Sequence, residues 1–422
     1  MEYFNYDIDN YKVHIIKTDK FKTVALNVSI RFDDRREDIK YFGLLKRMLV
    51  NTSKYYESIR DLNIACSRIY DPVYSVNVLS SGSQDILELE ASFSNEKYTE
   101  CGMNEKALKF LLDVLFEPRI IDDGFDNEIF KIQKEKVLED LRNIKNNPRR
   151  YAEIRLLECM KVREYDVIKI DELISEISSL TSKELYSFYK YIMENGVLDI
   201  TLCGDLDENI LDVFKKYVKF DGKYIHKNHV INQRSYNKEA NVVIEDSNNT
   251  QSNLIVGCKL LDLTDFERNY VLVLYSWILG GGMGSLLNQT VREKNSLCYY
   301  IYAVRQYLLS TVKIYAGINA SDYDKTYELI KKEMKNMEDG NFSLDLLNSV
   351  KEIYYNSLIR MEDSNADIVY GFNMMLFTGM DKLEERKEKM KSVTKEDVIK
   401  LAKKVHIDTV YLLKGVSGNG EA

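Results

Sequence analysis

The sequence predicts an α+β protein of two homologous domains, each an α/β sandwich in which a mostly antiparallel sheet is packed with helices. Three observations lead there. In each half of the 422-residue chain, stretches with strand alternation come first and amphipathic helical stretches follow, an order that suits segregated layers. Thr181-Ser182-Lys183-Glu184 writes a capping box for a helix that leads into an apolar strand over 198–203 and a Gly-Asp turn. Thr394-Lys395-Glu396-Asp397 repeats that phrase before a strand over 407–413 and Gly415. Two matching unit endings indicate a duplication. The third observation is compositional: at 45% hydrophobic and 30% charged residues, a chain of this length can bury two substantial cores.

In the first half, 23–32 alternates as a strand, and a helix follows over 39–55 with Leu44, Leu45, Met48 and Leu49 on its apolar side. A second helix fits 56–66. Strands over 73–79 and 86–93 are joined through Ser80-Ser81-Gly82-Ser83 as a hairpin, and helices over 104–116, 122–145 and 149–162 are separated by Pro118 and Pro148. The stretch 220–240 is polar and weakly periodic, which makes it the linker between a domain over 1–219 and one over 241–422. The second half reads as strands over 241–245 and 253–261, a helix over 264–279, a glycine-rich stretch, and strands over 297–304 and 311–318. Helices over 322–337, 343–361 and 366–378 complete it.

The glycine-rich stretch, GGGMGSLLNQTVREKNSLCYYIY over 280–302, holds the most unusual local chemistry. Gly280, Gly281, Gly282 and Gly284 allow backbone angles that other residues resist, so they can break the chain sharply between two helices. Ser285 reads as an N-cap, Leu286, Leu287 and Val291 as the apolar face of a short helix, and Asn295 and Ser296 as its end. Arg292 and Tyr299 then fall near one another across a helix-to-strand turn. No Gly-Lys-Ser/Thr follows the glycines, so the groups that hold terminal phosphates and magnesium are missing.

A net charge of -8 argues against nucleic acid as a partner. The longest apolar run, 270–279, is too short to cross a bilayer, and the N-terminal stretch lacks the pattern of a signal peptide. Six scattered cysteines without a Cys-x-x-Cys pair suit reduced thiols and a cytoplasmic setting. Of the four histidines, no two sit four apart on a helix, which excludes the His-Glu-x-x-His and His-x-x-Glu-His zinc motifs. His226 and His229, three apart in the linker, read as loop histidines ahead of a metal pair. No Gly-x-Ser-x-Gly elbow is present, and Glu139 with Asp140 reads as a solvated helix face.

The order of elements, with VREKNSLCYYIY in the second half, resembles the insulinase/pitrilysin-type metallopeptidases, in the small bacterial two-domain branch related to mitochondrial processing peptidase. Arg292, Glu293, Lys294, Leu297 and Tyr299 match that family's Arg-Glu-Lys-x-Gly-Leu-x-Tyr signature, with Ser296 in place of the glycine. VLDITLCGDLD over 197–207 and KEKVLEDL over 134–141 are similar to weaker signatures. The resemblance implies that the zinc helix falls on YFGLLKRMLV over 41–50, with Gly43 and Arg47 in the two histidine places, Lys46 in place of the catalytic glutamate, and Asp140 where the third ligand would come from. Glycine offers no donor, a guanidinium repels a dication, and an ammonium cannot act as the base.

A peptidase-like fold without its own catalytic residues, metal or cofactor follows from that resemblance. So does pairing with a zinc-bearing paralogue, as a heterodimer enclosing a chamber for a peptide or protein substrate, with Arg292 and Tyr299 on the substrate carbonyl. The chain most resembles the inactive member of a bacterial pair linked to maturation of translation elongation factor P. The alternative is a non-catalytic scaffold or peptide-binding protein of the same fold, in which Arg292 is a surface or ion-paired residue and Tyr299 an ordinary sheet aromatic.

Overall fold

A computed structural model describes residues 1–163, 169–222 and 230–416. The chain forms two compact units, and each draws on both halves of the sequence. Unit 1 comprises Met1–Arg142, Lys169–His229 and Arg360–Gly379; unit 2 comprises Asn143–Ile168, Val230–Ile359 and Met380–Ala422.

Unit 1 is built on β1 (Glu2–Ile8), β2 (Tyr11–Lys17), β3 (Thr23–Asp33), β4 (Val73–Ser81), β5 (Gln84–Ser94) and β8 (Val197–Gly204). A small hairpin of β6 (Ile120–Ile121) and β7 (Gly124–Phe125) stands apart from the sheet. The sheet runs β1-β2-β8-β3-β5-β4, antiparallel throughout except where β2 lies beside β8. Alternation sorts the two faces. Val24, Leu26, Val28, Ile30 and Phe32 of β3, with Leu198, Ile200 and Leu202 of β8, enter the core beside helices Ile39–Asn51, Met103–Phe116 and Ser182–Asn195. Each such side chain, fully buried, contributes roughly 1.5–3 kcal/mol.

The opposite face of the sheet is polar and equally buried. Asp199 lies at its centre, 3.0 Å from His14 Nε2, and accepts from Arg31 Nη2 at 2.6 Å. Helix Asn365–Thr378 closes this face. Thr201 Oγ1 lies 2.7 Å from Asn373 Oδ1, Phe377 lies under the Arg31 guanidinium at 4.6 Å, and Ile368 and Val369 pack with Ile16, Ala25 and Cys203.

Unit 2 is built on β9 (Asn241–Asp246), β10 (Ser252–Leu260), β11 (Cys298–Gln306), β12 (Thr311–Ile318) and β13 (Val405–Lys414), in the order β11-β12-β10-β13-β9. Again one pair alone is parallel, β13 with β9. From β2 to β4, unit 1 therefore has the same order and directions as unit 2 from β9 to β11. The capping boxes of Thr181 with Glu184 and Thr394 with Asp397 both form, at the N-termini of helices Ser182–Asn195 and Lys395–Ala402 that feed the corresponding strands β8 and β13.

The second face of the unit 2 sheet is closed by helix Pro148–Met160. Glu153 accepts from Lys313 Nζ at 2.5 Å and from the Tyr315 hydroxyl at 2.7 Å, while Glu245 accepts from Tyr151 and Tyr411, each at 2.6 Å. The helix comes so close that a Cβ on Gly257 would stand 2.7 Å from Met160 Sδ. Each sheet is thus completed by a helix from the other half of the sequence.

Several boundaries differ from the sequence reading. The helix expected over 122–145 begins at Asn127, because Asp122 and Asp123 adopt left-handed backbone in the β6–β7 turn. The hairpin β1–β2 and helix Leu383–Ser392 had no sequence signal strong enough to mark them. Within 220–240, residues 223–229 lie outside the described residues, and with them His226 and His229. Gln233 is buried, its amide donating to the carbonyls of Val162 and Leu309 at 3.0 and 2.9 Å. No helix among the described residues is long and apolar enough to cross a membrane.

Candidate functional site

Two places carry the candidate residues, one in each unit. In unit 1, helix Ile39–Asn51 buries Leu44, Leu45, Met48 and Leu49, leaves Lys46 exposed and holds Gly43 and Arg47 half-buried. Helix Asn127–Arg142 runs alongside. A Cβ on Gly43 would stand 3.5 Å from Val137 Cγ1, and Arg47 Nη2 donates to Asp140 Oδ2 at 2.5 Å. The structure therefore brings Arg47 and Asp140 together as an ion pair, with Gly43 on the same helix contact and Lys46 exposed.

A zinc ion does not fit this arrangement. Gly43 presents no donor, Arg47 presents a cation, and the one carboxylate at hand already faces a guanidinium. Among the described residues, no group of three His, Cys, Asp or Glu side chains is placed to hold a metal. The ion pair is half-exposed and contributes about 0–1 kcal/mol.

In unit 2, Thr264 and Glu267 form a further capping box, and the helix passes through a widened turn at Glu267–Val271 into Leu272–Gly280. The glycines after it do a different job from the one expected of them. None of Gly280, Gly281, Gly282 and Gly284 lies in the left-handed region. Gly280 is needed for close approach, since a Cβ there would stand 2.6 Å from the Ala303 amide nitrogen, while nothing stands within 4 Å of a Cβ on Gly282 or Gly284. Ser285 is not a side-chain cap either: its hydroxyl turns back and donates to the Gly282 carbonyl at 2.6 Å.

Arg292 lies in the last turn of the widened helical segment Asn288–Glu293, its side chain 44% exposed and the Glu293 carboxylate 3.9 Å away. Ser296 follows with φ of 53°. The glycine in the signature that this stretch resembles therefore has a physical reason, because left-handed backbone is free to glycine and costs an L-residue about 1–2 kcal/mol. The Ser296 amide donates to the Arg292 carbonyl at 2.9 Å and the Leu297 amide to the Val291 carbonyl at 3.1 Å, tying the turn to the helix it leaves.

Tyr299 is where the structure departs furthest from simple alternation. On β11, Cys298 pairs with Ile318 and Tyr300 with Gly317, so two steps on β11 match one on β12 and Tyr299 is the extra residue of a β-bulge. Tyr299 is 66% exposed. Cys298 is turned toward the core, where burial pushes its thiol up to about 11 against the pull of the Arg292 guanidinium. A glycine inside the β12 pattern, Gly317, is the signal in the sequence that could have marked the bulge.

A family model described as "Peptidase M16 inactive domain" matches residues 179–354. Across 96% of this chain and 96% of its own length, "Probable inactive metalloprotease YmfF" of Bacillus subtilis is 25% identical. The chain is similar to M16 metallopeptidases of the inactive branch. A second B. subtilis relative, "Uncharacterized zinc protease YmxG", is 24% identical over 78% of this chain and 80% of its own. Solved structures share the fold along the whole length. A conserved protein from Enterococcus faecalis has a TM-score of 0.88 at 22% identity, covering 99% of both chains. A peptidase M16 inactive domain structure from Pseudomonas fluorescens has 0.78 at 18%, covering 100% of both.

Proposed function

We propose that this M16-like chain is a proteolytically inactive subunit that pairs with a zinc-bearing paralogue and lends Arg292 and Tyr299 to the carbonyl groups of a peptide substrate. One contrast carries the reading. The metal positions hold Gly43 and an Arg47–Asp140 ion pair, whereas Arg292 and Tyr299 stay exposed on a turn and a bulge shaped to present them. A guanidinium and a phenol are both donors suited to a carbonyl oxygen that gains charge as a tetrahedral intermediate forms. Water activation then falls to the partner's zinc.

Two kinds of chain are needed for such a pair, and B. subtilis supplies relatives named as each. The six free thiols suit a cytoplasmic location for the pair. The resemblance extends the proposal to a role in maturation of elongation factor P. The test is co-expression with each His-x-x-Glu-His paralogue of the same genome. The expected result is a stable heterodimer holding one zinc, which cleaves an unstructured peptide that this chain alone leaves intact. Failure to bind any such paralogue, or one tightly held zinc in the isolated chain, overturns the reading.

A further inference from the structure

Without the bulge, β11 would point Tyr299 the same way as Ile301 and Ala303, and those two pack against the core. Something must hold the extra residue at 299 and not at a neighbouring position. Tyr300 supplies the fit. Its ring lies over Gly317, where a Cβ would stand 2.4 Å from Cε1, and its hydroxyl donates to Asn253 Oδ1 at 2.8 Å. Asn253 is itself the residue opposite Gly317 on β10. Gly317 is the one glycine of β12, so a slip of β11 by one residue would carry the Tyr300 ring onto a position that has a side chain.

We propose that Gly317, Tyr300 and Asn253 are positioning residues for Tyr299, a lock that fixes the bulge at 299 and so aims the phenol outward. The same strand start is tied to the Arg292 turn through the Ser296 and Leu297 amides, so the lock sets the phenol in a fixed relation to Arg292 as well. For its part in turnover the inference rests on the function proposed above. The lock itself is a property of this chain alone, and none of its three residues is asked to touch substrate.

Two measurements test it. On the isolated chain, amide hydrogen exchange over 298–306 is compared among Gly317→Ala, Tyr300→Ala, Asn253→Ala, Tyr300→Phe and Tyr299→Phe. The first three should speed exchange around residue 299 by about tenfold or more, and Tyr299→Phe should not. Tyr300→Phe, which keeps the ring on Gly317, should fall between. In the reconstituted heterodimer, Tyr300→Ala should lower kcat to about the level of Tyr299→Phe, and the double variant should fall no further, as expected of residues acting through one another. Tyr300→Ala also covers the case in which Gly317→Ala does not fold. Faster exchange with unchanged turnover, while Tyr299→Phe is impaired, overturns the positioning role and leaves the proposed function standing. Unchanged turnover in Tyr299→Phe overturns the proposed function, and the lock is then decided by exchange: unaltered protection in both Gly317→Ala and Tyr300→Ala overturns it.

Discussion

Unit 1 and unit 2 share a strand order, a parallel pair in the same place and a polar second face closed by a helix from the other half of the sequence, yet they spend their polar residues differently on the outside. On the outer side of unit 1, the helix that would hold a metal carries a glycine, an exposed lysine and a guanidinium neutralised by Asp140. On the outer side of unit 2, a left-handed turn at Ser296 and a bulge at Tyr299 hold a guanidinium and a phenol out to solvent. Catalytic chemistry on a regular helix is lost by changing side chains alone. Presentation by an irregular backbone depends on several residues at once, here the left-handed turn at Ser296 and the bulge at Tyr299. The polar residues of the closed faces are buried and paired, whereas Arg292 and Tyr299 on the irregular backbone are exposed.

That comparison makes different demands on substitutions in the two units. The largest loss of stability should come from the inward face of unit 1. Asp199→Ala leaves Arg31 buried without its carboxylate, and about 3–5 kcal/mol of stability should be lost in denaturant melts at neutral pH. Burial alone would raise the Asp199 carboxyl, but the hydrogen bond from His14 and the charge of Arg31 hold it below the ordinary aspartate range. A group with a lowered folded value stabilises above its unfolded value, near 3.9, and that stability disappears as pH falls through the folded one. The wild-type protein should therefore lose stability steeply below about pH 4, and Asp199→Asn should flatten that part of the curve.

Gly280→Ala should come next. Its Cβ would stand 2.6 Å from the backbone of Ala303, so helix and strand must separate, at about 1–3 kcal/mol. Thermal melts would detect it, and an unchanged Tm would contradict the close approach. Ser296→Gly should be the smallest effect, a gain of up to about 1 kcal/mol as left-handed strain is relieved against the greater freedom of glycine in the unfolded chain. A clear destabilisation by Ser296→Gly would mean that the serine side chain has work of its own.

Much of the fold was legible because its signals are local. The capping boxes at Thr181 and Thr394 marked the duplication, the alternation of β3 marked the first sheet, and β10 and β12 read as strands of the second. What escaped is non-local. Helices Pro148–Met160 and Asn365–Thr378 were expected as helices, but nothing in their periodicity says which sheet each one covers. Arg47 and Asp140, 93 residues apart, were set at one place only by the resemblance, and their ion pair was not read. At the candidate site, residue types were visible at Arg292 and Tyr299, whereas the bulge exists only in the register between β11 and β12 and hides within a run of aromatics that reads as plain alternation.

The central claim is that an inactive chain supplies Arg292 and Tyr299 to a reaction whose metal belongs to its partner. Turnover of an unstructured peptide by the heterodimer, measured with Arg292→Ala and with Tyr299→Phe beside matched thermal melts, tests it most directly. Both side chains are exposed, so folding and pairing should be unaltered. Turnover should fall by about ten- to a thousandfold, mainly in kcat, as when a hydrogen bond made in the transition state is removed. Unchanged turnover in both variants, with the complex intact, would contradict the account.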